Sequence, residues 1–556
     1  MEHLERDLKN QMKSDRGVPY PDFEAMWGRI QQNELHTETE AGGKSWTPVV
    51  SQRFHKRAAM ILGISAALVA VPVYAAIQYD WSDLLSYRSG IMTALEDGLG
   101  QTIEQSVTRN GITLTVHTAF TDENRTVLLY SLDPGSVTEG QSIDYGQLSL
   151  RDDKGKLIKG DFNQRYNEQL GVVQGYFESE WVPSGSLSEL TFGIEDVHFM
   201  EEARFPVSYN PKQSEAQELK IGRDGVESLL IQSFPQSEGE VLLRSVFRFA
   251  ENFKPEQAGW VRIEIEQKSD QHRTAARNPG IFGTPGKPGE VINEQVFSAE
   301  QLQKEDTRFE MVYSRAARTS TGVWGIDLQL SKKQMEKSTF QEKLNVPLPQ
   351  VPGGTSVHEL IITPTQVQVI LKHQEKVLLL PYQRFELHAG ETVLQGGSSL
   401  VDYSKSTELR FEMNGLKADE LAGLPMTLVA KHRIDEHEGD GTPILLNRIS
   451  EQRQSVEVSL GAYPVQFTYY RKDGHLYVES SSQDSRFGGV TQTYYLEEGG
   501  KRIYAKPAKT WLRGDGDNRR MDVYENFTAQ ELPVYVWMYT TEAPKEELST
   551  PLRSGQ

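Results

Sequence analysis

The stretch Asn110-Gly111-Ile112-Thr113-Leu114-Thr115-Val116-His117, followed by Asp122-Glu123-Asn124-Arg125 and Thr126-Val127-Leu128-Leu129-Tyr130, decides the fold. Asn110-Gly111 opens a strand in which Ile112, Leu114 and Val116 alternate with Thr113, Thr115 and His117. A period of two is the signature of a strand with one buried face. Asp122–Arg125 supplies a turn, and the β-rich run from Thr126 to Tyr130 returns.

Moving outward, the same style recurs in Leu242–Phe247, Trp260–Ile265, Val367–Leu371, and in Phe467–Tyr470 with His475–Val478 across Asp473-Gly474. Short strands with turn signals between them predict antiparallel sandwiches. Leu190–Tyr209 and Val323–Val351 each pass from an apolar strand through a charged stretch to a second strand, and read as corresponding ends of two similar domains. The expected fold class is mainly β: a short helical cytoplasmic tail, one transmembrane helix, then tandem antiparallel β-sandwich (Ig-like) extracellular domains. Boundaries are expected as follows: tail 1–57, transmembrane helix 58–78, helical stalk 79–100, sandwiches 101–212, 213–352 and 353–461, a C-terminal β domain 462–545, and a disordered tail 546–556.

The membrane expectation rests on Ala58–Ile77, AAMILGISAALVAVPVYAAI, twenty residues without a charge. A helix of that length rises about 30 Å, the thickness of a bilayer's hydrocarbon core. Arg53, Lys56 and Arg57 precede it, whereas Asp80 and Asp83 follow. By the positive-inside rule the N-terminus is cytoplasmic and the C-terminal domains are extracellular. A cleaved signal peptide competes with this reading, but its leader would be far too long. Within residues 1–57, Leu4, Leu8 and Met12 suggest one thin apolar stripe. Asp22 caps a second helix whose Phe23, Met26, Trp27 and Ile30 share one face. Two short helices make little core of their own, so this face either folds back on the first helix or enters a partner's groove, with Trp27 as anchor.

Composition bounds the chemistry. In 556 residues, 59 Lys and Arg against 78 Asp and Glu give a net charge of −19, which argues against a nucleic-acid partner. The absence of Cys excludes disulfides, thiol chemistry and Cys-based zinc sites. No nucleophile elbow, Walker loop, dinucleotide fingerprint or zincin motif is present, so no catalytic, cofactor or metal residues are expected and the chain is not read as an enzyme. The densest His/acid cluster, His432 to Asp440, reads as a solvated hairpin loop, Asp515–Asn518 as a turn, and the residues from Ala543 onward as frayed.

The chain resembles the domain-of-unknown-function 4179 (DUF4179) family of Gram-positive bacterial single-pass membrane proteins. The likeness is carried by Pro21–Trp27, by Gly98–Gln101, by Ser106–Val116 and by Thr121–Thr126, over roughly residues 1–135. The resemblance implies a membrane-anchored anti-sigma factor. Its cytoplasmic tail would sequester an extracytoplasmic-function sigma factor, and its outer β domains would sense an envelope signal through an unidentified ligand. The alternative expectation is a cell-surface or wall-associated β-sandwich protein without a cytoplasmic partner.

Overall fold

The computed structural model describes residues 79–554, apart from single positions and short internal segments of which 277–283 is the longest. The expected tail, the apolar run 58–78, and the residues Phe23, Met26, Trp27, Ile30, Arg53, Lys56 and Arg57 lie outside the described residues.

Strands β1 (Gln101–Arg109), β2 (Ile112–Thr121) and β3 (Thr126–Asp133) form an antiparallel meander that continues through β4 (Val172–Ser179) to the strand Asp161–Asn167. Asn110 and Gly111 both have positive φ, which lets a two-residue turn match the strand twist. Ile112, Leu114 and Val116 face inward and are buried. On the other face, Ser106 pairs with Thr115 at 2.8 Å and Thr108 with Thr113 at 2.9 Å, the cross-strand contacts that stabilise a half-exposed sheet.

A second sheet covers this one. Its axis is the ladder between β5 (Ser188–Val207) and β6 (Thr307–Leu330), which runs from Ser188↔Leu330 to Val207↔Phe309. Each strand serves two cores. Phe192, Ile194, Trp324 and Ile326 pack on β2 and β3 in the first unit, where Trp324 Nε1 donates to the Ile112 carbonyl at 3.0 Å. Val207, Phe309 and Met311, at the far end of the ladder, belong to a second core with Leu229, Leu243, Phe247 and Ile263. The chain between β5 and β6 builds that second unit.

The C-terminal half repeats the device. The largest sheet contains β7 (Ser356–Ile362), β8 (Gln366–Lys372), β9 (Ser406–Glu412), β10 (Met426–Glu438), β11 (Phe487–Leu496), β12 (Arg502–Tyr504) and β13 (Leu532–Arg553). The strands Phe340–Pro347, Tyr382–Ala389 and Thr392–Asp402, together with β7, β8, β9, β10 and β13, enclose the third core, with Val367, Val369, Leu387, Phe411, Leu428 and Leu548. The other ends of β10 and β13 cross into a fourth unit. There Val534 and Val536 pack against Val465, Phe467 and Val478 of the sheet formed by Gln454–Leu460 and its neighbours. Both ladders bulge where they cross between units, at Ala316/Arg318 and Ser320/Val323 in β6, and at Lys431/Arg433 in β10. A bulge bends a strand and raises its twist, so one long strand turns toward two cores.

Several expectations are corrected. The mainly β class holds, but the architecture is two nested pairs rather than a tandem string. Leu190–Tyr209 and Val323–Val351 are not equivalent ends of a repeat: Leu190 pairs with Leu328 in one ladder. Among the described residues no helix is long and apolar enough to cross a membrane, so the expected transmembrane helix is no part of the fold described. Spanning requires about 20 apolar residues, whereas the longest described helix, α1 (Ser89–Glu96), has 8. That helix does not stand free as a stalk. Trp81, Leu84, Leu85, Ile91, Ala94 and Leu95 pack against Phe120, Val127 and Leu129 on the outer face of the first sheet. Residues 543–553, expected to fray, form the end of β13 and pair with β10 as far as Met426↔Arg553.

Candidate functional site

The turn between β2 and β3 is where the first unit meets the third. Asp122 Oδ1 accepts from the Asn124 and Arg125 amides at 2.8 and 3.1 Å, which holds the loop closed. This fixes Arg125 so that its side chain leaves the first unit and enters the third. There Arg125 is 3% exposed. Its Nε donates to Thr365 Oγ1 at 3.0 Å and its Nη2 to the Thr365 carbonyl at 2.8 Å. Nη1 and Nη2 clasp the two oxygens of Glu412 at 2.9 and 3.1 Å, and Nη1 also reaches Glu178 Oε1 at 2.7 Å. Thr365 lies in the β7–β8 turn, Glu412 ends β9, and Glu178 is on β4. One guanidinium fork therefore ties four places in the chain together.

The surroundings complete the arrangement. Thr365 Oγ1 donates to Asp122 Oδ2 at 2.6 Å. Asn124 Nδ2 donates to the Gln366 carbonyl at 3.3 Å. Arg88, immediately before α1, donates to Glu178 Oε2 at 2.7 Å. Gly90 of α1 lies so close to the β7–β8 turn that a Cβ there would sit 1.8 Å from the Thr365 carbonyl oxygen. Burial works against the charges of Arg88, Arg125 and Glu178, but their partners outweigh it. The Glu178 carboxyl is driven down to about 2 by Arg125 and Arg88, despite desolvation that pushes the other way. Arg125 is raised, with Glu412 and Glu178 overcoming its desolvation. A buried network of this kind specifies one docking geometry and is costly to break from one side.

The chain N-terminal to α1 is fixed to the same block. Tyr79 packs on His117 with ring centroids 4.6 Å apart, Trp81 is buried, and Gln174 Nε2 donates to the Asp80 carbonyl at 3.3 Å. His117, an outward residue of β2 by alternation, is consequently covered. Its pKa is lowered by desolvation against the opposing pull of Glu104.

The other sequence candidates resolve differently. His432 is not in a solvated loop: it sits at the bulge of β10 with φ 59° and pairs with buried Glu542 at 3.0 Å. His437 stacks on Tyr539, while Asp435 holds Arg433. Among the described residues no group of three or more His, Asp or Glu could hold a metal ion. Asn518 serves a turn by donating to the Ser482 carbonyl at 2.9 Å, and Arg513 is spent on the carbonyls of Leu380 and Ile434. Sequence reasoning noticed the turn Thr121–Thr126 but missed Glu178, Thr365 and Glu412. The available signal was an Arg placed between two apolar runs.

Residues 53–133 match the family model described as a domain of unknown function, DUF4179. The described part of that match contains α1, β1, β2, β3 and the hub residues Arg88, Asp122, Asn124 and Arg125, whereas Glu178, Thr365 and Glu412 lie beyond it. No curated protein matches the chain. Among solved structures, the chain is similar to a conserved domain protein from Bacillus anthracis at 10% identity. That match covers 56% of this chain and 91% of the other with a TM-score of 0.16, a likeness too slight to inform the fold.

Proposed function

We propose that this chain is an anti-sigma factor held at the cell membrane. Residues 1–57 lie in the cytoplasm and sequester an extracytoplasmic-function sigma factor, and the β units lie outside and respond to an envelope signal. The observation that carries the reading is the burial of Trp81, Leu84, Leu85, Ile91, Ala94 and Leu95 in residues 79–96, the first described segment after the tail. That segment is built into the first unit and, through Gly90 and Arg88, into the hub that joins the third. Displacement of the outer units is therefore passed to the chain at Tyr79. The tail contributes the face of Phe23, Met26, Trp27 and Ile30, and the basic residues Arg53, Lys56 and Arg57 favour a cytoplasmic N-terminus. No catalytic step and no nucleic-acid contact is assigned to the chain.

The test is affinity capture from cells with the tagged full-length chain. A sigma factor is expected with the wild type, and Trp27→Ala is expected to weaken capture by about 2 kcal/mol, a common cost for an aromatic anchor. Recovery of no sigma factor with the wild type overturns the reading. Equal capture by the variant removes Trp27 as anchor.

A further inference from the structure

The outward face of the fourth unit carries aromatic rings that its core does not use. On β13, Val534 and Val536 point into the core and alternate with Tyr535 and Trp537, which point out. Register places Tyr494 of β11 beside Tyr535 on one side and beside Tyr504 of β12 on the other. The Tyr494–Tyr535 rings are 5.3 Å apart and nearly parallel, and the Tyr494–Tyr504 rings are 5.5 Å apart. Trp537 stands 5.6 Å from Tyr504 at 76°, a wall beside a floor. Tyr504 and Trp537 are each 40% exposed. The guanidinium of Arg502 lies 4.9 Å from the Tyr494 ring centre.

Two magnitudes select the occupant. A buried Tyr or Trp covers about 150–250 Å², so the exposed part of this platform is on the order of 200–300 Å². A stable protein interface needs about 800 Å² from each partner, so neither a second copy nor a folded protein is satisfied by this face. Charge is the other criterion. The net −19 of the chain repels a polyanion such as a polyphosphate, and Arg502 meets the rings as one guanidinium rather than as a cationic cluster, which favours an uncharged ligand. A small, neutral, flat ligand with apolar C–H faces and hydroxyls at its edge fits rings with polar rims. We propose that this platform binds a short segment of neutral glycan, with pyranose faces stacked on Tyr504 and Trp537 and hydroxyls directed to Arg502. The inference stands apart from whatever the N-terminal residues capture.

Calorimetric titration of the full-length chain with cellohexaose, chitohexaose and laminarihexaose tests it. At least one hexasaccharide is expected to bind. Trp537→Ala and Tyr504→Ala are each expected to weaken that binding about tenfold or more, as ring-stacking losses do, while Trp537→Phe retains most of it. Hydrogen-exchange protection of the fourth-unit strands that matches the wild type verifies that the variants are folded there. The proposal is overturned if none of the three sugars binds, or if binding is indifferent to both alanine variants. It is also overturned if Trp537→Ala instead abolishes a concentration-dependent self-association seen by sedimentation, which makes the face an interface between copies.

Discussion

Replacing Arg125 with alanine removes five hydrogen bonds from the junction of the first and third units. It also leaves Glu178, Glu412 and the half-buried end of Arg88 to rearrange around a void. Surface ion pairs of this length contribute about 1 kcal/mol or less. Arg125 is not such a case, because at 3% exposure its carboxylate partners cannot be fully rehydrated without opening the interface. Truncating one partner of a buried pair costs about 3–5 kcal/mol, and that is the expected loss in the free energy that holds the β7–β8 turn against the β2–β3 turn. Arg125→Lys keeps the charge but not the fork, and is expected to fall between the two. Global melting is a poor readout in a chain with four cores, where two-state behaviour fails. Hydrogen exchange resolved to the Thr363 amide and to residues 89–96 reads the opening directly. Protection there is expected to drop by more than a hundredfold in Arg125→Ala while the second core is unchanged. A drop of less than about fivefold, equivalent to about 1 kcal/mol, refutes the argument that this network holds the units together.

Three further outcomes follow from the same structure. Gly90→Ala gains up to about 1 kcal/mol of helix propensity. However, the 1.8 Å approach to the Thr365 carbonyl decides the sign, so α1 is expected to lose protection by about 1–3 kcal/mol in the same exchange experiment. Glu178 has its folded pKa depressed from 4.5 to about 2, so its contribution is fully present above about 4.5 and is lost as pH falls toward 2. An acid titration of hub opening should show a loss of about 3 kcal/mol across that window, absent in Glu178→Gln. Asp522 is the reverse: desolvation raises it from 3.8 to about 6 even though Thr493 donates to it from its amide at 2.7 Å and from its hydroxyl. The fold therefore favours its protonated form and loses stability as pH rises from about 4 through 6. Asp522→Asn, which keeps the acceptor, is expected to raise the hydrogen-exchange protection of the fourth unit at pH 7.5 and to leave it unchanged at pH 4.

Period-two alternation was enough to read the β class, and residues such as Ile112, Leu114 and Val116 landed inside as their spacing required. Alternation reports which face is buried but not which strand lies alongside. Hence Leu190 and Leu328, neighbours in one ladder, read as parts of separate domains. Strands of about 5–6 residues are the norm, and nothing in the runs Ser188–Val207 and Thr307–Leu330 signals that each continues from one core into another. The hub was half legible. Thr121–Thr126 stood out as a turn, but the distance in sequence from Arg125 to Glu412 carries no local trace: Glu412 sits on an ordinary alternating strand and Glu178 near the end of a largely buried one. His432 shows the converse failure: a polar, charged stretch looked like a loop, yet its ladder to Glu542 and Thr541 makes it the crossing between units.

The claim that the hub couples the outer units to the tail meets its most direct test in transcription. Cells carrying either the wild-type chain or Arg125→Ala, matched for chain abundance by immunoblot, are compared for output from promoters of the captured sigma factor. Coupling predicts repression by the wild type and raised, signal-independent output with the variant. Equal repression by both, with the hub shown to be open by hydrogen exchange, contradicts it.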